Sequence, residues 1–396
     1  MRSNVFQKGY SHLKSITLLI IVVLLGVFVQ GCTEDPTSVG LSLLRPQDFP
    51  AIKDTTYPAS SFSTIRSSVQ TSGSDRILLG RASAYDAILM LRFTGLTTGL
   101  LDTVTITGSR IELRAIYHFA DSLAPLAFSV YPAIAPWDTV SYDSLTQNPG
   151  NYYSSNPYSV VAPLILGDTS RVQFAVDTAA VRTWFAATAN NGVILRASNV
   201  GTIKGFGSFV HPTTDYRPRL IVDYVKGGTP GSFTLNSGDA RFVANVPQTN
   251  LVLNPELMYI QSGVAFRGVL NFNLTSLPKE ASILRADLEL TLKTSSSIQN
   301  SYLADSLYSY YVFSDGTVTS NYVESKTVIR NGNRIYQLAI RPFVRQWTLT
   351  GAVQSLQFSG KREGSSLDHF AIYGTGTSIP DSLRPRLILT YAALTQ

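Results

Sequence analysis

The side chains able to do chemistry are few and scattered along the chain. Its four histidines are His12, His118, His211 and His369, and no two of them have the spacing of paired metal ligands. No Gly-x-Ser-x-Gly elbow, phosphate-cradling glycine loop or short Asp-x-Asp calcium loop occurs, and Ser314-Asp315-Gly316 reads as a turn. No catalytic residue, metal site or cofactor is therefore assigned. Separated Asp and Glu residues still leave a polysaccharide-active enzyme as an alternative, because such a pair converges only in the fold. Tyrosines are more suggestive. Trp137 to Val160 carries Tyr142, Tyr152, Tyr153 and Tyr158, and Tyr302 to Tyr322 carries Tyr308, Tyr310, Tyr311 and Tyr322. A tyrosine offers a flat apolar ring and a hydroxyl, which suits it to stacking on a sugar face or buttressing a protein, and equally to packing within strands. Tyr152, Tyr153, Tyr158, Tyr310 and Tyr311 are the candidate ligand-binding residues.

The single cysteine, Cys32, has no disulfide partner within the chain. Before it stand a basic start with Arg2, Lys8 and Lys14, an apolar run from Ile16 to Val29, and Val29-Gln30-Gly31. The run is shorter than the roughly 20 residues of a spanning helix, so it reads as a secretion signal. The segment resembles the bacterial lipoprotein signal, which implies cleavage after Gly31, acylation of Cys32 and attachment to a lipid bilayer. Gln30 is a less usual occupant of its slot. Glu34 and Asp35 resemble the surface-export signals of lipoproteins in Bacteroidetes-like bacteria. The expected location is therefore the outer membrane, lipid-anchored, with the cell surface favoured over the periplasmic face.

Residues 1–31 hold three basic residues and no acidic one, so the formal charge of +6 falls to +3 without them. With 15% charged residues and no dense basic cluster, a nucleic-acid partner is excluded as an expectation. The remaining chain is long enough for two cores.

The elements that must position these residues read mostly as strands. Ile77-Leu78-Leu79-Gly80 and Ala87 to Phe93 are short apolar runs, while Thr103 to His118 alternates, with an irregularity expected near Gly108. One short helix is expected over Thr178 to Ala187. The chain then repeats itself: Arg217-Pro-Arg-Leu-Ile-Val-Asp-Tyr224 returns as Arg384-Pro-Arg-Leu-Ile-Leu-Thr-Tyr391, with six of eight positions identical. Val181-Arg-Thr-Trp184 matches Val344-Arg-Gln-Trp347, Ile111-Glu-Leu113 matches Leu288-Glu-Leu290, and Leu91-Arg-Phe93 matches Leu270-Asn-Phe272. The order of all four blocks is preserved, which points to one fold used twice. Both tryptophans are expected to fill cores.

Both halves resemble the DNRLRE-type domain, a secreted module related to carbohydrate-binding modules. The likeness is carried by Lys53-Asp54-Thr55-Thr56, Ile77 to Gly80, Leu89-Met-Leu-Arg-Phe93 with Leu96, and Arg217 to Tyr224; the second half, with Asn271-Phe272, departs further. The resemblance implies a jelly-roll-like sandwich and adhesion, scaffolding or glycan contact. The expected fold is all-β: two tandem antiparallel β-sandwich domains after a signal peptide. The expected boundaries are a signal peptide at 1–31, a lipidated tether at 32–49, a first sandwich at 50–225, a linker at 226–231 and a second sandwich at 232–396. The expected role is non-catalytic binding or scaffolding of a polysaccharide or envelope protein, with a purely structural envelope component as the other reading.

Overall fold

Alternating β-branched and aromatic residues make the described part of this chain predominantly antiparallel β-sheet. The computed structural model describes residues 51–94, 103–185, 190–245, 254–298, 306–351 and 354–393. The signal, Cys32 and the tether lie outside the described residues. Two strands come first, β1 (Ala51–Pro58) and β2 (Ser61–Arg66). They are followed by β3 (Arg76–Ala82), β4 (Tyr85–Arg92), β5 (Thr105–Ala120), β6 (Leu126–Pro132), β7 (Ser159–Leu164), β8 (Arg171–Ala175) and β9 (Val193–Ala197). Next are β10 (Thr202–Gly207), β11 (Arg219–Lys226), β12 (Thr229–Asn236), β13 (Asp239–Asn245), β14 (Leu257–Gln261), β15 (Phe266–Asn271), β16 (Ser282–Thr291) and β17 (Leu307–Val312). The last are β18 (Val318–Glu324), β19 (Lys326–Arg330), β20 (Asn333–Ala339), β21 (Ser355–Gly360), β22 (His369–Tyr373) and β23 (Arg386–Ala393). Among the described residues, three short α-helices, α1 (Tyr142–Gln147), α2 (Thr178–Phe185) and α3 (Arg341–Thr350), interrupt them.

The first core lies inside one 11-stranded sheet that curls on itself through the long β5. One part of β5 pairs with β8 and β11, and its last residues pair with β10. The ladder slips between Asp223 and Tyr224, opposite Gly108, so the irregularity expected there is a bulge. The second core lies between a five-stranded sheet, β1-β23-β16-β20-β19, and a seven-stranded one containing β18, β17, β21, β15, β14, β22 and β2. Both are sandwich-like packings of inward-facing rows.

The repeated blocks fall at matching places and touch one another. Trp184 stacks on Phe93 at 6.3 Å, and Trp347 meets Phe272 at 6.2 Å, all four rings buried. In the ladders, Arg219 lies opposite Glu112 and Arg386 opposite Glu289. Both glutamates are buried. Glu112 accepts from Arg171 at 2.8 Å and Gln173 at 2.7 Å; Glu289 accepts from Arg330 at 3.0 Å and Arg386 at 2.8 Å. Burial alone would raise the Glu289 carboxyl, but the hydrogen bonds from Arg330 and Arg386 outweigh it and hold the group below its usual 4.5.

Strand pairing redraws the expected boundaries. β1 pairs with β23 and β2 with β15, so residues 51–66 complete the second core and not the first. The first core is completed from the other side, by β12 on β11 and β13 on β4. The positions correspond: Pro58 faces Arg386 as Asn236 faces Arg219, and Ser61 faces Asn271 as Asp239 faces Arg92. Residues 226–231, expected as a linker, form the turn of the β11–β12 hairpin and its first rungs. Gly227 and Gly228 both have positive φ there, a conformation costly for other residues.

The two cores are joined by a third apolar cluster. It brings Leu78, Tyr117, Phe119 and Phe242 of the first sheet against Val264, Phe266 and Leu367. Within this joint, Tyr117 donates to Asp368 at 3.3 Å and accepts from the Leu367 N–H at 3.2 Å, and Arg76 donates to the Ser365 carbonyl at 3.1 Å.

Two outcomes follow from this arrangement. Removing residues 51–66 strips Tyr57 and Ala59 from the second core and unpairs the edges of β23 and β15. Calorimetry should show the second core destabilised by at least about 3 kcal/mol and restored by the 51–66 peptide added in trans; unchanged melting would refute the exchange. Glu289→Gln should cost about 1–3 kcal/mol at neutral pH. Because the folded carboxyl lies below 4.5, the wild-type advantage in urea melts should be complete above that pH and vanish as pH falls through the lowered value.

Candidate functional site

Groups with catalytic potential are mostly spent on one another. Among the described residues, no group of three His, Cys, Asp or Glu could hold a metal. His369 is buried and stacks on Tyr259 at 5.3 Å, and burial lowers its imidazole to about 4. A cleft of about 400 Å³ between the cores is lined by Arg66, Thr71, Asp138, Tyr142, Asp143 and Arg241 among others. Within it, Asp138 takes a hydrogen bond from Arg92 at 2.7 Å, and Arg241 donates to the carbonyls of Trp137 and Asp138. Tyr142 donates to Asp86 at 2.8 Å, and burial with that carboxylate pushes its hydroxyl up, away from any role as a base.

The five candidate tyrosines have separate fates. Tyr153 is buried, 5.0 Å from the Tyr131 ring, with its hydroxyl taking a hydrogen bond from Arg196. Tyr152 packs against the same cluster as Tyr153. Tyr158 packs on the first core, and burial raises its hydroxyl. Tyr311 is in the second core against Phe343 and Trp347. Tyr153 and Tyr311 are thus corrected from binding candidates to core residues, since a buried ring has no free face for a ligand. Tyr310 alone stands on an outer sheet face. With it are Tyr308 and Tyr322, which the same sequence stretch contains.

That face is best understood beside its counterpart in the first core. The strand order β18-β17-β21-β15-β2 in the second core corresponds to β7-β6-β9-β4-β13 in the first. Through the pairings, Tyr310 opposite Gln357 corresponds to Tyr131 opposite Ile194. In the first core, β6 and β7 are joined by residues 133–158, which fold back over the sheet. Trp137, Val140, Leu145 and Tyr153 cover Ile88, Met90, Ile194 and Val243 there. Trp137 is wholly buried, and its indole N–H donates to the Asn191 carbonyl at 2.6 Å. In the second core, β17 and β18 are joined by residues 313–317, a tight turn closed by the Phe313 N–H donating to the Thr317 carbonyl. The equivalent face has no such cover from this connection.

The open face carries three tyrosines at one end. Tyr308 and Tyr322 stack at 4.1 Å with 23° between planes, and Tyr310 lies 6.2 Å from Tyr322. Tyr322 is 52% exposed, and the other two are half-buried. Alternation explains the set: Tyr308, Tyr310 and Val312 point out while Leu307 and Tyr311 point in. Burial, then the hydrogen bond and charge of Tyr322, push Tyr308 up to about 12, so its hydroxyl is neutral. Across β21, β15 and β2 the row continues through Gln357, Val269 and Ser63, flanked by Arg267, Asn271 and Ser61. Gln357 and Ser359 are sunk between their neighbours.

No family model matches the chain, and no curated protein matches it. Among solved structures, the C-terminal domain of the Streptococcus agalactiae AgI/II polypeptide BspA aligns at 8% identity, covering 81% of this chain and 91% of that one, with a TM-score of 0.15. The C-terminal domain of the Streptococcus pyogenes antigen I/II-family protein AspA aligns at 9%, covering 81% and 90%, at 0.15. A structure of infectious bursal disease virus, Gx strain, aligns at 10%, covering 88% and 78%, at 0.13. Likenesses at these scores carry no argument about this chain, and its all-β, sandwich-like fold stands on its own pairing.

Proposed function

We propose that this protein is a non-catalytic envelope lipoprotein, tethered through acylated Cys32, that holds a surface glycan on the open tyrosine face of its second core. The carrying observation is the contrast between the two faces. In the first core the ring of Tyr131 is covered by the chain's own Tyr153, while in the second Tyr308, Tyr310 and Tyr322 have no equivalent cover from the β17–β18 turn. A sheet face with grouped tyrosines beside hydroxyl and amide side chains suits the apolar face and polar rim of a sugar ring. The DNRLRE-like motifs and the repeated blocks on sandwich-like cores support the same reading. The lipoprotein signal before Cys32 supports membrane attachment at the outer membrane, and Glu34 and Asp35 support the cell surface. Among the described residues, no helix is long and apolar enough to cross a membrane.

Two measurements test this. Replacing Tyr308 and Tyr322 together with Ala should weaken glycan binding about tenfold or more while leaving melting nearly unchanged, because these rings lie outside the core. Tyr153→Ala should do the reverse. Equal loss of folding and binding in the double variant would favour the purely structural reading, and turnover of a polysaccharide abolished by one carboxylate substitution would overturn the non-catalytic one. Mass spectrometry of the membrane-extracted N-terminus should show cleavage before a modified Cys32; an unmodified thiol would contradict the anchor.

A further inference from the structure

Resting on the glycan reading of the open face, the geometry points to an uncharged, extended ligand: we infer that the face takes a neutral glycan chain lying across the strands. The first ground is charge. Among the described residues, two ionised groups of the open sheet reach this face, and each is matched beside it. Arg267 donates to Glu363 through two parallel bonds at 2.8 and 2.7 Å. Glu324 accepts from Lys361 at 2.6 Å and from the Ser306 hydroxyl at 2.9 Å. These are specific pairings and not chance neighbours, since the first is bidentate and the second has an additional donor. The described residues of the face therefore present no surplus charge to a ligand. A uronate or phosphate laid on it would lose water without gaining a free cation, whereas hydroxyls lose little.

The second ground is direction. The tyrosines do not run along one strand; they form a group spanning β17 and β18, with Tyr310 opposite Tyr322 in the ladder. The hydrophilic side chains accessible at the far side are Ser61 of β2, opposite Asn271 of β15, and Ser63 of β2, opposite Val269. Asn271 donates to the Ser61 hydroxyl at 2.9 Å, which orients both. Val269, half-buried, lies in the row between Gln357 and Ser63. From β18 to β2 the face crosses four strand spacings, about 19 Å. One sugar ring would occupy only the aromatic end, while a chain running perpendicular to the strands would meet stacking rings first and hydroxyl and amide groups last.

The test uses the mature protein with a length series of neutral glucose and mannose oligosaccharides, and a galacturonate series of the same lengths. Binding should tighten as the neutral chain grows and level off only once it spans about 19 Å. It should change less than about twofold between low and high salt, because no net charge is neutralised. The galacturonate series should bind at least about tenfold more weakly. Glu363→Gln, which releases Arg267, should narrow that gap and make galacturonate binding salt-dependent. Equal or tighter galacturonate binding by the unaltered protein, or a plateau already at the disaccharide, would overturn the inference while leaving the glycan reading standing. Absence of binding in both series would remove the glycan reading itself.

Discussion

The pairing of the first described strand with the last holds this architecture together. β1 lies along the whole of β23, and β2 continues onto β15, so the chain closes its second core with its own beginning. The first core is one continuous run, β3 to β13, finished by the segment that follows β11, whereas the second draws β1 and β2 from the far side of the first. Long-range ladders of this kind carry a loop-closure cost before their contacts form. Once formed, they make each core dependent on the strands bracketing it. The polar and apolar joint around Tyr117 and Leu367 adds a second tie between the same two parts.

Duplication with divergence separates the outer faces of the two cores. The same sheet order is used twice, and its inward side is conserved between the copies in detail: Phe on Trp, Arg beside a buried Glu, Leu220 and Leu387 each fully buried. Outward, the copies differ through one connection. A long β6–β7 segment brings Trp137, Leu145 and Tyr153 down onto the sheet and turns that face into a minor core. The short β17–β18 turn brings nothing, and apolar rings remain at a water-facing surface.

Much of the inner architecture was legible in the sequence because its signal is local. The repeated blocks mark ladder partners and stacked rings, the period-two pattern gave the strands and the irregularity near Gly108, and the close spacing of Ala, Val, Trp and Phe gave the short helix found as Thr178–Phe185. The exchange of β1–β2 and β12–β13 was hidden because strand partners are chosen by distant edges, and the matching segments share little sequence. Alternation could have separated Tyr310 from Tyr311, since adjacent strand residues face opposite ways. Nothing local distinguishes Tyr152 and Tyr153 as a cover, because their role depends on a sheet surface formed by strands far away in the chain.

The account is tested most directly by hydroxyl-radical footprinting of the tyrosines with and without a saturating neutral oligosaccharide. Tyr322, and more weakly Tyr308 and Tyr310, should be modified in the free protein and shielded by the glycan, while Tyr153 and Tyr311 stay unmodified throughout. Shielding confined to residues 133–158, or modification of Tyr308, Tyr310 and Tyr322 that the bound glycan leaves unchanged, would contradict the assignment of the open face.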